Sequence, residues 1–276
     1  MKDRVCIVTG ANTGIGRVSA HELARMGAHV FLASRSESKT VPVVELIRRD
    51  TGNDRVEYLP LDLGDLESVG RCAEAFLARD LPLHVLMNNA GLAGLRGVTA
   101  SGFEMAFGVN HVGHFAFTLA LLDRIKSSAP ARIVNIASEA HYNAKGIDYD
   151  VLRKPTRTVS GVAEYNVSKL ANVLFTKELA RRLEGTGVTT YALHPGVIAS
   201  DVWRKVPQPF RWLITRFMLT VEDGAKTQLR CATAPELAGE TGLYYDDCKQ
   251  KTPSRWAQDA DAASKLWAES EAWVTA

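Results

Sequence analysis

The chain has 276 residues, 46% of them apolar and 23% charged, close to the averages for a globular protein. These fractions exclude a disordered tail, a collagen-like chain and a coiled-coil rod, and the length suits one α/β domain with a sizeable core. Thirty-three Lys and Arg against thirty-one Asp and Glu leave a net charge of +2, which offers no basic stripe for nucleic acid and gives no reason to expect an acidic partner.

In chain order, short aliphatic runs at Val5–Thr9, His29–Ala33, Val56–Pro60, Leu83–Met87, Arg132–Ala137 and Val188–Leu193 read as strands. Between them, Arg17–Met26, Val41–Thr51, Leu66–Arg79, Gly102–Lys126 and Tyr165–Glu184 repeat apolar residues at intervals of three and four, which predicts helices. A last strand near Leu243–Tyr245 and a terminal helix around Asp261–Val274 close the series. Strand and helix in alternation predict a parallel sheet with helices on both faces. Pro and Gly fall between elements without a linker, so residues 1–276 are expected to form a single domain. The chain enters its first apolar run at Val5, leaving no room for a signal peptide, and Phe115 to Leu122 is far short of the ~20 residues that span a bilayer. Cys6, Cys72, Cys231 and Cys248 are too scattered for a disulfide framework or a metal site. They read as free thiols in a reducing compartment, and a cytoplasmic location is expected.

The first strand runs into Thr9-Gly10-Ala11-Asn12-Thr13-Gly14-Ile15-Gly16-Arg17, and a helix follows. Glycines at 10, 14 and 16 allow a tight turn, a close approach to a pyrophosphate and contact between helix and strand. The helix N-terminus then offers free N–H groups and a positive dipole end to phosphates. This is the dinucleotide loop of a doubly wound Rossmann fold, here with about seven strands. Eighteen residues past Gly16, where an acid would bind the 2′-hydroxyl of NAD, stands Ser34, followed by Arg35. Without a carboxylate, Arg35 and Arg17 suit a 2′-phosphate, so NADP(H) is the expected cofactor. Asp62, before Leu63, is either an acceptor for the adenine amino group or an N-cap of the next helix.

Tyr165-Asn166-Val167-Ser168-Lys169 opens a long helix, and a spacing of four puts phenol and ammonium on one face. A tyrosine with a pKa of ~10 is a poor base at neutral pH. A neighbouring ammonium and a positively charged nicotinamide ring would draw it toward the working range.

Taken together these residues resemble the short-chain dehydrogenase/reductase family over nearly the whole chain. Thr9-Gly10-x-x-x-Gly14-x-Gly16 matches its cofactor motif, and Asn88-Asn89-Ala90-Gly91 its structural motif after the fourth strand. Asn110, Ser138, Tyr165 and Lys169 stand where the family has its catalytic tetrad. Pro195-Gly196-Val197-Ile198-Ala199-Ser200 resembles the segment that holds the nicotinamide carboxamide, with Ser200 in place of the more common threonine. Ser138-Glu139-Ala140-His141, Ser168-Lys169-Leu170-Ala171-Asn172 and His194-Pro195-Gly196 are most similar to the retinol dehydrogenase branch. Many members of that branch carry an N-terminal membrane anchor, which these residues lack, so membrane association is not carried over. The resemblance implies that Tyr165 transfers the proton and Ser138 hydrogen-bonds the carbonyl. It implies further that Lys169 binds the nicotinamide ribose and depresses the Tyr165 pKa, and that Asn110 holds a relay water.

Two regions are long for connections. The polar stretch Lys145 to Gly161 either borders the substrate mouth or is a surface excursion. Residues 201–221, with Trp203, Phe210, Trp212, Phe217 and Met218, read as a lid over a lipophilic substrate, as a core or interface helix, or as an interfacial helix. Residues 1–200 would then hold the catalytic core and 222–276 the last strand and C-terminal helices. His141, Trp203 and Phe210 join Ser138 as candidate substrate contacts, while His111 and His114 read as structural or pocket-lining. No metal is expected, and a homo-oligomer is the default. The leading expectation is an NADP(H)-dependent oxidoreductase of lipophilic aldehydes or ketones. An NAD-dependent alcohol dehydrogenase and a non-catalytic nucleotide-binding sensor or scaffold are the alternatives.

Overall fold

The computed structural model describes residues 1–196 and 220–275. Eight strands form one sheet in the order β3-β2-β1-β4-β5-β6-β7-β8. Strands β1 (Val5–Thr9), β2 (His29–Ser34), β3 (Val56–Pro60), β4 (Val85–Asn88), β5 (Ala131–Ile136), β6 (Val188–His194) and β7 (Leu243–Asp246) are parallel. The eighth, β8 (Lys249–Gln250), returns antiparallel from β7 and raises the expected count of seven. It is too short to carry an apolar pattern, and the tight turn before it puts Asp247 and Cys248 at positive φ.

Because helices cover both faces, the central strands are buried nearly throughout rather than alternating; every residue of β1 and β4 is buried. Helices α1 (Gly14–Arg25), α2 (Glu37–Thr51) and α7 (Val221–Thr233) cover one face, packing Leu23, Ile47 and Cys231 on Val8, Leu32 and Met87. Helices α3 (Leu66–Leu77), α5 (Gly113–Ser127) and α6 (Val162–Arg182) cover the other, where Phe76, Phe115, Phe117 and Leu179 meet Ile7, Phe31 and Ile133. Helix α8 (Ala260–Thr275) packs outside α6 through Leu266 and Trp267.

The helix expected over Gly102–Lys126 is interrupted. A short α4 (Met105–Phe107) passes through a π-helical turn at Gly108–Val112 before α5 begins. From Met105 to Ser127 this run is long and apolar enough to cross a membrane by length and composition, and 67% of it is buried inside the fold. Its hydropathy serves the core. Helix α7 falls among the C-terminal helices expected over 222–276, of which only the terminal one has expected bounds.

The strand order reverses between β1 and β4, so the crevice outside their carboxyl ends is the natural ligand site of an open α/β sheet. A buried polar ladder sets the sheet against its helices there. Asn88 on β4 donates to Thr118 of α5 at 2.9 Å and to Asn135 on β5 at 2.8 Å, and Asn135 donates to Thr176 of α6 at 3.0 Å.

Candidate active site

The loop after β1 and the end of β4 are built as one unit. The Thr9 hydroxyl accepts the backbone N–H groups of Asn89 and Ala90, each at 2.9 Å, and the Asn89 amide donates to the Thr9 carbonyl at 2.7 Å. A Cβ on Gly16 would stand 2.4 Å from Asn89 Nδ2 and 2.7 Å from the Gly10 carbonyl oxygen. A Cβ on Gly10, at φ +66°, would stand 2.9 Å from Ala90 Cα. Only bare backbone fits there. Asn89 Oδ1 is buried with no hydrogen-bond partner among the described residues. Asn12, Thr13, Ile15 and Arg17 lie on the open side of the turn, partly or fully exposed, and the Ile15 carbonyl accepts from Gln228 at 3.2 Å.

At the end of β2, Ser34 is buried and its hydroxyl is engaged with Thr40, so its contribution to the rim is the missing carboxylate. Arg35 is exposed and leans toward Asp62 across 3.9 Å. The N-cap of α3 is Asp65, which accepts from the Glu67 N–H at 3.0 Å; Asp62 instead accepts from Gly64 at 2.9 Å, which removes the N-cap alternative. The Leu63 side chain is buried in the core.

Tyr165, Ser138 and Lys169 meet at the ends of β5 and α6. The Tyr165 phenol faces the Ser138 hydroxyl, which favours its ionised form and itself accepts the Ala140 N–H at 3.1 Å. Lys169 is buried, donates to the Ile136 carbonyl at 2.8 Å, and sits 5.6 Å from the Tyr165 ring centre. Burial pulls the Lys169 ammonium down to about 8. Burial also pushes the Tyr165 phenol up, opposed only by the Ser138 hydroxyl, so the expected depression by Lys169 is absent in this state. Desolvation outweighs the distant ammonium.

Asn110 occupies the π turn. Its Oδ1 accepts the Leu92 N–H at 2.9 Å, and Nδ2 donates to the Leu92 carbonyl at 3.0 Å and to Ser168 Oγ at 2.9 Å. The Ser168 hydroxyl in turn donates to the Tyr165 carbonyl at 2.7 Å. A Cβ on Gly91 would lie 3.5 Å from both Asn110 Oδ1 and Lys169 Nζ, so the two converge over that residue. The fully buried His114 ties this turn to the loop: its Nδ1–H donates to the Asn110 carbonyl at 3.1 Å, and Nε2 accepts from Thr9 at 2.9 Å. Burial holds it neutral, down to about 4. His114 is thus structural, one of the two roles expected for it, whereas Thr9, Ser168 and Asn172, whose amide shares the Ile136 carbonyl with Lys169, stand in the motifs but have no role of their own in the sequence reading. Only their positions within the motifs marked them.

His141 corrects an expectation. It is buried behind Ser138, donating from Nδ1 to the Ser138 carbonyl at 2.6 Å and accepting the Ser254 N–H on Nε2 at 3.1 Å. It supports the Ser138 turn and has no surface left for a substrate. His111 is a core residue between Phe107, Phe115 and Phe175, with Nε2 2.9 Å from Ser270. His194, before Pro195 and Gly196, stands 3.6 Å from Glu139. Ile198, Ser200, Trp203, Phe210 and nearly all of the segment 201–221 lie outside the described residues. No group of His, Cys, Asp or Glu fit for a metal exists among the described residues. A cavity of about 410 Å³ beside Arg181, Thr189 and Thr241 lies near the N-terminal end of β6, away from all these groups.

The short chain dehydrogenase family model matches residues 4–149. The chain is 46% identical to mouse (Mus musculus) retinol dehydrogenase 12 and 45% identical to human (Homo sapiens) retinol dehydrogenase 11. Each match covers 96% of this chain, with 84% and 83% of the relatives. An uncharacterized protein from Mycobacterium Paratuberculosis superposes with a TM-score of 0.79 at 32% identity, covering 99% of this chain and 94% of that one. The 3-ketoacyl-(acyl-carrier-protein) reductase of Brucella melitensis, solved with NADH, gives 0.69 at 25% identity over 89% of this chain and 96% of that one. With the glycine cradle, the serine–tyrosine–lysine corner and the asparagine in its π turn on one crevice, the chain belongs to the short chain dehydrogenase family.

Proposed function

We propose that this chain is an NADP(H)-dependent oxidoreductase that interconverts a lipophilic carbonyl compound and its alcohol, with Tyr165 as proton donor and acceptor. The observation that carries the reading is the buried corner in which the Tyr165 phenol, the Ser138 hydroxyl and Lys169 meet beside a glycine cradle. The loop suits a dinucleotide: Gly10 and Gly16 let it close tightly on the end of β4, Gly14 faces open space where a Cβ would stand, and Asn89 Oδ1, without a partner among the described residues, is an acceptor for a ligand hydroxyl or amide. Gly14, Ile15, Pro195 and Gly196, with Ile198 and Ser200 from the sequence, would border it. When bound, the nicotinamide supplies or takes up the hydride.

The rest is done by the chain. Ser138 hydrogen-bonds the substrate oxygen and fixes its place. Tyr165 gives that oxygen its proton in reduction and removes it in oxidation. Lys169, held by the Ile136 carbonyl, binds the ribose and returns a proton to Tyr165, and Asn110 Oδ1 continues the path toward solvent. A neutral phenol, which burial favours, is the form that reduction needs. Absence of an acid at Ser34, with Arg35 and Arg17 exposed, favours the 2′-phosphate; the Arg35–Asp62 approach favours the NAD-dependent alternative. The names of the retinol dehydrogenase relatives, and the aromatics Trp203 and Phe210 in the sequence that follows the nicotinamide segment, support a lipophilic substrate. Tyr165→Phe is expected to lose nearly all turnover while NADPH binding, followed by fluorescence, persists. Retained turnover would end the mechanism. Arg35→Asp should reverse the ratio of NADPH to NADH affinity; an unchanged ratio would favour the alternative.

A further inference from the structure

Six large apolar side chains are exposed among the described residues, and four of them, Leu95, Val98, Val159 and Val162, lie on two neighbouring segments. The first, residues 92–98, follows β4; the second, 152–162, leads into α6. They run side by side. The Gly97 carbonyl accepts the Thr156 N–H at 3.3 Å, and the Gly97 N–H donates to the Thr156 hydroxyl at 3.1 Å. A Cβ on Gly161 would stand 3.3 Å from Gly94 Cα. Buried Glu104 anchors the pair from below: its carboxylate takes the Thr156 hydroxyl, and its N–H donates to the Leu152 carbonyl at 2.7 Å. The result is a built platform with aliphatic tips. Val159 is 86% exposed, which no lining of a pocket and no covered contact would show.

The charge on this platform is one-sided. Residues 92–98 and 152–162 hold Arg96, Arg153, Lys154 and Arg157 and no carboxylate, whereas the whole chain nets only +2. Arg96, Lys154 and Arg157 are exposed and make no ion pair among the described residues, and Arg153 lies over the Phe103 ring at 4.3 Å. Exposed Asp148 and Asp150 precede the second segment, and the two acids that touch the platform itself are both engaged with its backbone or hydroxyls. Glu164 accepts the N–H groups of Arg157 and Thr158 at 3.0 and 2.9 Å, and Glu104 is buried.

We propose that this platform docks the protein on an anionic lipid surface, with Leu95 and Val159 entering the headgroup boundary and the cations at phosphate level. Separate aliphatic tips among unpaired cations match a surface that is apolar beneath and negative above. Nucleic acid would leave the aliphatics without a role. A second copy of the chain would bring eight cations together, which like-charge repulsion opposes. The platform adjoins the active corner, since the Tyr165 N–H donates to the Gly161 carbonyl at 3.1 Å. Docking would therefore place the site one helical turn from the surface.

The test is flotation of the full chain with large unilamellar vesicles of phosphatidylcholine alone or mixed with phosphatidylserine, at low salt and at ~1 M salt, where the Debye length falls to ~3 Å. Wild type should float with the phosphatidylserine vesicles at low salt and release at high salt. The pairs Leu95→Asp/Val159→Asp and Lys154→Glu/Arg157→Glu should each cut the bound fraction by about tenfold. Both should keep the wild-type unfolding midpoint and turnover of a water-soluble aldehyde, which separates loss of docking from failure of the proposed chemistry. The proposal is overturned if wild type does not float, binds neutral vesicles equally, or if either pair still binds. A concentration-dependent dimer in light scattering that Val159→Asp abolishes would also overturn it, assigning the face to self-association.

Discussion

Replacing Thr9 by Val keeps the side-chain shape and deletes one hydroxyl. That hydroxyl accepts the N–H groups of Asn89 and Ala90 and donates to His114 Nε2, all at 2.9 Å. The Asn89 N–H keeps the Met87 carbonyl at 2.9 Å, but the Ala90 N–H and His114 Nε2 would lack a partner, at ~1–3 kcal/mol apiece, or about 2–6 kcal/mol together. Thr9→Ser, the control, retains every hydrogen bond and loses one buried methyl, about 1 kcal/mol. The two variants should therefore differ by about 1–5 kcal/mol, a sizeable share of the ~5–15 kcal/mol typical of a folded domain. Equilibrium urea unfolding followed by tryptophan fluorescence reads this directly. With a slope of ~3 kcal/mol/M, the midpoint of Thr9→Val should fall roughly 1 M below that of Thr9→Ser. Midpoints within ~0.3 M of each other would refute the claim that Thr9 joins the cofactor loop to the end of β4.

Lys169→Met should raise stability while abolishing turnover. The native ammonium titrates at about 8 against 10.5 when unfolded, so below pH 8 the fold carries a burial penalty of about 3 kcal/mol. The unfolded chain binds more protons between these values, so wild-type stability rises with pH across that window and the advantage of Lys169→Met should vanish by its upper end; thermal melts across the range check the slope. Gly16→Ala should weaken NADPH binding by more than tenfold, because its Cβ would meet Asn89 and the Gly10 carbonyl. Gly14→Ala meets no protein atom within 4 Å, so without cofactor it should lose only the strain of φ +56°, roughly 1 kcal/mol, and thermal melts should show it losing less than Gly16→Ala. His114→Phe should lower kcat through a displaced Asn110 turn more than it changes the KM for aldehyde, and equal effects on both would contradict a positioning role.

The sheet was legible because parallel strands buried on both faces are nearly unbroken apolar runs, and β1 and β3 fall where those runs do. Boundaries were less so. Pro42 lies inside α2, yet the helix begins at Glu37; the proline stands in the second turn, where it forgoes one bond to the Ser38 carbonyl without ending the helix. The tetrad was readable as motifs, but a hydropathy pattern with a period near four runs through the π turn unchanged, so Gly102–Lys126 looked like one helix. Thr9 and Ser168 are small hydroxyls whose importance lies in partners more than fifty residues away, which no local spacing reveals. His141 misled because its place beside Ser138 in sequence says nothing of which way the ring turns; both its nitrogens serve backbone.

The π turn at Gly108–Val112 amounts to one surplus residue in an otherwise regular helix. A deletion of Val109 would let residues 105–127 wind evenly, with better backbone hydrogen bonding and an unchanged apolar face toward the sheet. What it would erase is the outward loop of chain that sets Asn110 against Leu92 and Ser168. Selection for stability alone would close that turn. On the proposed mechanism the turn is a running cost borne for Asn110, and a shortened chain that is firmer and inert is the variant in which the two demands come apart.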